Sequence, residues 1–460
     1  MRRSLFSLLL MGAVILVAGA TPASAQNCGA TVTWFTNPSI PTEVSGGLNA
    51  DNCAFHQFAW QAFAALIQPS QGELVFETWM PDYGVFVANG QQPTPWGQSP
   101  PTPCTSDDPK ANGRFFRPRV VKTDAGAVNP NSTQQAFGGA LYDQNNNVVY
   151  YEAWMNQTEY DFITGCQFYN TGCMAAAPVG TSLPSGTIEV KTSWRVLSGP
   201  SPDYYTVQGV VGSSCTPVTL GLVGFHLVAN TPIHQEFIWA TFEHKSNAPD
   251  CPGTGVTPPA GGWSFFNPNC TSGGKPCAVN QQNTIPTQVC RVTPYGGGDS
   301  QNVANIQSIN QSVYSTMEKL AATDPQKYGF YNVWSNYFMT GNLWTNNGEL
   351  PPSSSNFKGS TLNANTTMET FAQNTSGFTN CFSCHSEEPQ PSHPGFQSPS
   401  PANFSHFFAG AVATGGCGNG QGPLPAMCPV NSATALKRST APAGTPAAPP
   451  MIPAHGQKRR

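Results

Sequence analysis

Apolar residues recur at helical spacing in "CAFHQFAWQAFAALI", residues 53–67. Phe55, Phe58, Ala59, Ala62 and Leu66 fall on one stripe, and His56, Trp60, Phe63 and Ile67 cover the adjacent one, which predicts a helix buried nearly all round. Beyond it the period changes from 3.6 to 2. "TIEVKTSWRVL", residues 187–197, places Ile188, Val190, Thr192, Trp194 and Val196 on one face and Glu189, Lys191, Ser193 and Arg195 on the other, the pattern of a half-buried strand. Residues 114–122, 147–155, 221–229 and 236–244 also read as strands. The stretches between them are rich in Pro, Gly and Asn, which predicts turns and an antiparallel layered architecture.

Helical spacing returns late. Val313, Met317 and Leu320 predict a helix over residues 310–325, with Pro325 at its end. Residues 368–375 form a short helical lead into a cysteine motif. Residues 400–413 open with Ser400 at an N-cap position and Pro401 at the first helical one, and carry Phe404, Phe407 and Phe408 on the apolar side. The expected class is therefore α+β. A large antiparallel β-rich N-terminal domain with an early buried helix covers residues 26–305, and a small, mainly helical region covers 306–431. An Ala/Pro-rich stretch over 432–460 ends in Lys458-Arg459-Arg460 and is expected to be a disordered basic tail.

Export follows from the first 25 residues. Arg2 and Arg3, an apolar run from Leu8 to Val17 and the Ala23-Ser24-Ala25 site have the layout of a secretory signal peptide, and the apolar run is too short to span a bilayer. The expected location is periplasmic or secreted, with no integral membrane segment once the signal is removed. Only 10% of residues are charged, and the net charge is −4, so nucleic acid is not an expected partner. Cysteine sharpens the picture. All fourteen cysteines lie beyond the signal, and an oxidising compartment favours disulfides over zinc. Close spacing suggests local bridges joining Cys166 to Cys173, Cys270 to Cys277 and Cys417 to Cys428.

Cys381 and Cys384 stand apart, because His385 follows directly: "TNCFSCHSEEP". Cys-x-x-Cys-His is the attachment signature of c-type haem. Two thiols one turn apart add to the vinyl groups at one porphyrin edge, and the adjacent imidazole falls beneath the iron as its proximal ligand. The bland alternative is a disulfide, or a chance match among many cysteines. By these residues the chain resembles the c-type cytochromes over about residues 360–430, and its layout resembles exported bacterial proteins with one late haem motif. The resemblance implies one covalent haem c, held by Cys381, Cys384 and His385, and a redox partner that the sequence does not name. Many small bacterial members place a methionine ligand in a Pro-flanked loop after the motif. "GPLPAMCP", residues 422–429, is similar, which makes Met427 a candidate sixth ligand. His393, His406, His56 and His226 compete with it.

Other features carry less. His226, His234 and His244 cluster on two predicted strands and the turn between them, and suit either a metal or distal haem site or ordinary local hydrogen bonding. His56 suits a core position. Arg114, Arg117, Arg119 and Lys122 suit haem propionates, an acidic partner or a solvated strand face. There is no GxSxG, HExxH or P-loop motif. Two functional classes follow: a one-electron carrier, or a peroxidase- or oxygenase-like haem enzyme with an open sixth position.

Overall fold

A computed structural model of the chain describes residues 28–87, 91–101, 114–116, 139–178, 181–211, 216–253, 255–350, 352–373, 380–385, 405–411, 417, 425 and 428. The early helix, α1, runs Asn52–Leu66. Asp51 caps it by accepting from the Ala54 amide at 2.8 Å, which satisfies one of the amides a helix start leaves without a partner. As its sequence predicts, most of its circumference is buried.

The body of the fold is a nine-stranded sheet. Its strands are β1 Met80–Pro81, β2 Arg114–Phe116, β3 Tyr150–Met155, β4 Ile188–Leu197, β5 Thr206–Val211, β6 Thr216–Ala229, β7 Ile238–His244, β8 Tyr337–Thr345 and β9 Phe357–Gly359. The order across the sheet is β9-β8-β7-β6-β4-β3-β1. β6 is long enough to carry two neighbours on one edge, β5 beside its first half and β7 beside its second. All pairings along that path are antiparallel, and only β2 runs parallel, beside β5. Three more helices matter below: α2 Gln157–Cys166, α3 Thr171–Ala175 and α4 Ser300–Thr323. The molecule is thus mixed α+β around a large antiparallel sheet.

Each face of the sheet has its own cover. On the first, Val190, Trp194, Phe225, Leu227, Ala240, Phe242 and Met339 join α1 and α4 in one apolar core. Phe63 of α1 stacks on Phe242 at 4.3 Å, and Trp60 meets the same ring edge-on at 4.9 Å. On the second face, Ala153, Met155, Val228, Trp239 and Leu343 pack with α2, α3 and residues from the C-terminal part of the chain. A third cluster around Val149, Tyr151, Val223, Phe265 and Met368 covers the rest of that face.

Several expectations are corrected. β8 and β9 come from residues expected to belong to the helical region, so the sheet crosses the expected boundary at 305/306. α4 starts at Ser300, ten residues before the predicted start at 310, because Asp299 supplies the cap to the Asn302 amide. Residues 368–373 form turns rather than a helix: the Thr370 hydroxyl donates to the Thr366 carbonyl and the Gln373 side chain to the Cys290 carbonyl. Of the predicted strand 114–122, only Arg114–Phe116 is described, and Arg117, Arg119 and Lys122 lie outside the described residues. Ser400, Pro401 and Phe404 lie outside them too, and a 3₁₀ turn over His406–Gly410, capped by Ser405, stands within the range expected to be helical.

Candidate functional site

The cysteine motif forms a single helical turn, α5, Cys381–His385. Positions 381, 384 and 385 share one side of such a turn, since residues three and four apart are neighbours on a helix. α5 sits on the second face of the sheet. Phe382, fully buried, stacks on Phe357 of β9 at 5.2 Å and meets Trp239 of β7 edge-on at 6.1 Å. The His385 imidazole lies 4.2 Å from the Trp239 ring. Asn380 caps the turn, its side-chain oxygen accepting from the Ser383 amide while its amide donates to the Thr361 carbonyl. The motif is therefore anchored to β7 and β9 through aromatic contacts.

The register of the strands reveals what else shares this face. One row across the sheet reads Leu343, Trp239, Val228, Glu189, Met155. The next reads Gly341, Thr241, His226, Lys191, Ala153, and the one after it Glu243, Gly224, Ser193, Tyr151. Side chains in adjacent rows on one face are close neighbours. His226 therefore stands one row from Trp239, the residue that touches His385, with Lys191 directly across on β4.

A polar segment, residues 363–370, lies over these rows. His226 Nε2 hydrogen-bonds to the Glu369 carboxylate at 3.1 Å. The same oxygen, Glu369 Oε2, also accepts from the Asn365 amide at 3.0 Å. Asn365 Nδ2 donates to Thr241 Oγ1 and to the Phe242 carbonyl. Thr366 donates to Glu243 from both its amide and its hydroxyl, and Arg291 Nη2 completes that carboxylate at 2.6 Å. Thr367 Oγ1 bonds to Ser193 Oγ, and the Thr367 carbonyl accepts from the Tyr151 hydroxyl. Glycine at two strand positions makes room for this approach: a Cβ on Gly224 would strike Thr367 and Ser193, and one on Gly341 would strike Asn363. Ten residues after Thr370 the chain reaches Asn380 and the cysteine motif.

Glu189, in the row of Trp239, pairs with Glu159 of α2. Burial, then the Glu189 charge beside it, pushes Glu159 well above the usual carboxylate range. Burial also raises Glu189, to about 7, against the neighbouring Ser405 and Glu159 side chains, which favour its charged form. Ser405 belongs to the C-terminal segment, so this carboxyl pair meets the same part of the chain that follows the motif.

Disulfides fix that segment, and in a way spacing did not predict. Cys166 at the end of α2 bonds Cys428, and Cys173 in α3 bonds Cys417. The expected local pairs Cys166–Cys173 and Cys417–Cys428 are thus exchanged, because α2 and α3 lie against the C-terminal segment and share its apolar cluster. Cys270–Cys277 forms as expected, and Cys28–Cys53 and Cys251–Cys290 are further bridges. A Cys417–Cys428 bridge beside Met427 is therefore ruled out, and Met427 and His393 themselves lie outside the described residues.

No family model, no curated protein and no solved structure matches the chain. The site must be read from its own chemistry. Thiols at positions 381 and 384 with an imidazole next to them are the donor set of a covalent haem, and Trp239 Nε1, buried and without a hydrogen-bond partner beside His385, is an orphaned donor at that spot. These residues fit the group.

The histidines separate. His234 bonds Glu236 at 3.0 Å in the β6–β7 connection. Burial pulls its pKa down, but the hydrogen bond and charge of Glu236, helped by Glu43, outweigh it and leave the pKa raised. His244 stacks on Tyr204 at 4.0 Å and bonds the Asp203 carbonyl. His226 faces Glu369, so the three do not converge, and among the described residues no group of three or more His, Cys, Asp or Glu is placed to hold a metal ion. His56 is a core histidine bonded to Asn302 at 3.0 Å, and burial lowers its pKa to about 3. It lies with α1 against the first face, away from α5, whereas His226 is on the face of α5.

Sequence reasoning missed the segment 363–370 and Glu369, Glu159, Trp239 and Lys191. Their one signal is density: "NANTTMET" sets eight small, polar or sulfur-bearing residues together where a surface loop would carry Gly or Pro.

Proposed function

We propose that the chain is an exported monohaem c-type cytochrome that carries one electron at a time, with haem held by Cys381 and Cys384 and His385 as proximal ligand. The observation that carries this reading is the Cys-x-x-Cys-His turn of α5, set on the buried sheet face with His385 against Trp239. When bound, the haem would supply one-electron exchange at iron. The chain's own part is to orient His385 by ring contact, to exclude water through Phe382 and Phe357, and to keep the segment in place through two long-range disulfides. A periplasmic or secreted location agrees with those bridges. Among the described residues no helix is long and apolar enough to cross a membrane.

A second reading is a haem enzyme with an open sixth position. It is favoured by the His226–Glu369 pair and Lys191, an acid–base set one row from Trp239. Absorption spectra of the reduced, exported protein decide between them. Haem-loaded protein whose spectrum carbon monoxide leaves unchanged supports the carrier, and a shifted spectrum supports the enzyme. In the carrier reading Met427 is the proposed sixth ligand, so Met427→Ala should remove the sulfur-to-iron charge-transfer band of the oxidised protein and lower the potential. Intact protein exported without added haem mass would overturn both readings.

A further inference from the structure

Away from the haem motif, a cleft of about 520 Å³ opens between the outer side of α4, β8 and the loops after β7. It is within the size range of small-ligand sites. Trp263, Tyr295, Tyr314 and Phe338 line it together with Gln307 and Gln311 of α4. Three properties define what it suits.

The first is ring placement. Tyr295 sits at φ 55°, a left-handed conformation that bulky residues rarely adopt. The three glycines that follow it are also at positive φ, and the turn is held by bonds from Ser360 Oγ to the Tyr295 carbonyl and from the Leu362 amide to the Gly296 carbonyl. Backbone strain of this kind concentrates at ligand clamps and is retained only where surroundings over-determine it. The second is hydrogen-bonding capacity. Gln307 and Gln311 are exposed one turn apart, and the Asp250 side chain is half exposed while Arg291 Nη1 holds one oxygen at 2.7 Å. Trp263 Nε1 is buried and bonds to nothing in the fold. The third is charge. Arg291 is answered by Asp250 and Glu243, and Lys245 is tied down over the Tyr314 ring at 3.6 Å while donating to the Ser335 carbonyl. The lining offers aromatic surface and planar hydrogen-bonding groups without a dominant charge.

We infer that this cleft binds a neutral saccharide. The C–H faces of a sugar lie against aromatic rings, its hydroxyls bond to amides and to the paired carboxylate and guanidinium, and a cleft balanced in charge does not select phosphate or carboxylate groups. The inference is independent of the haem reading.

Calorimetric titration of the purified, haem-loaded protein with cellobiose, maltose and N,N′-diacetylchitobiose, each up to about 10 mM, tests it. At least one should bind saturably. Gln307→Ala/Gln311→Ala, at exposed helix positions that do not support the core, should weaken that binding tenfold or more while the thermal transition stays in place, and Trp263→Phe should weaken it as well. Absence of saturation with all three sugars would overturn the inference, as would sugar binding that the α4 double variant leaves intact, or saturable binding of benzoate with none of the sugars.

Discussion

Glu243 shows how much rests on single buried groups. It is fully buried and accepts from Arg291, from the Thr366 amide and from the Thr366 hydroxyl. Glu243→Gln would leave Arg291 short of a carboxylate and present an amide donor to a donor, so urea denaturation should show a loss of about 3–5 kcal/mol. A loss below about 1 kcal/mol would mean that the segment 363–370 is held by other contacts. Glu189 behaves oppositely. Its folded pKa of about 7 lies above its ordinary value of 4.5, so the folded state holds the proton more tightly and loses stability as pH rises from 4.5 through 7. Glu189→Gln removes that loss and should raise the melting temperature at pH 8 more than at pH 5. Thermal scans at the two pH values check it, and equal shifts would contradict it. His56 and His244 run the other way: with folded pKa values of about 3 and about 4, both cost stability as pH falls below 6.5.

At the scale of elements, legibility followed periodicity. β4 was readable because one of its faces is apolar and the other polar, and α1 because its apolar residues keep helical spacing. β8 was not. "YFMTGNLWT" is buried almost throughout, so it does not alternate, and a register shift between Met339 and Gly341 breaks the remaining pattern. The segment 363–370 reads as polar and therefore as surface, yet its polarity is consumed by β4, β6 and β7. The Cys-x-x-Cys-His pattern is visible in the sequence because its five positions are local, but its setting against Trp239 depends on a strand some 140 residues earlier, which no local pattern encodes. Gly224 is where the strands and the polar segment meet. Gly224→Ala would push a methyl group into Thr367 and Ser193, and should cost about 1–3 kcal/mol in chemical denaturation. It should also increase hydrogen exchange at the amides of residues 365–369, and exchange unchanged there would show that the segment yields without cost.

On the scale of the whole molecule, the sheet is a partition. One face carries the large aromatic core with α1 and α4, and the other carries the polar segment, the carboxyl pair and α5. The two bridges that hold the C-terminal segment span 262 and 244 residues. Removing one of them with Cys173→Ser/Cys417→Ser should cost about 2–4 kcal/mol, read as a lower urea midpoint. Local bridges had been the sequence expectation because proximity along the chain is the only distance a sequence displays.

Those two bridges also impose an order on biogenesis. Under the proposed export, a chain that emerges N-terminus first presents Cys166 and Cys173 to an oxidising compartment long before Cys417 and Cys428 arrive. During that interval the nearest thiol to each is the other, seven residues away, and a short-loop bridge between them closes readily. The native pairing then has to be recovered by thiol–disulfide exchange, a step that takes seconds to hours unless catalysed. Maturation should accordingly depend on a disulfide isomerase rather than on an oxidase alone. In cells without one, peptide mapping of the exported protein should find Cys166 joined to Cys173 and a C-terminal segment open to protease. Native pairing at the normal rate in such cells would mean that the two early thiols wait unpaired for partners made last.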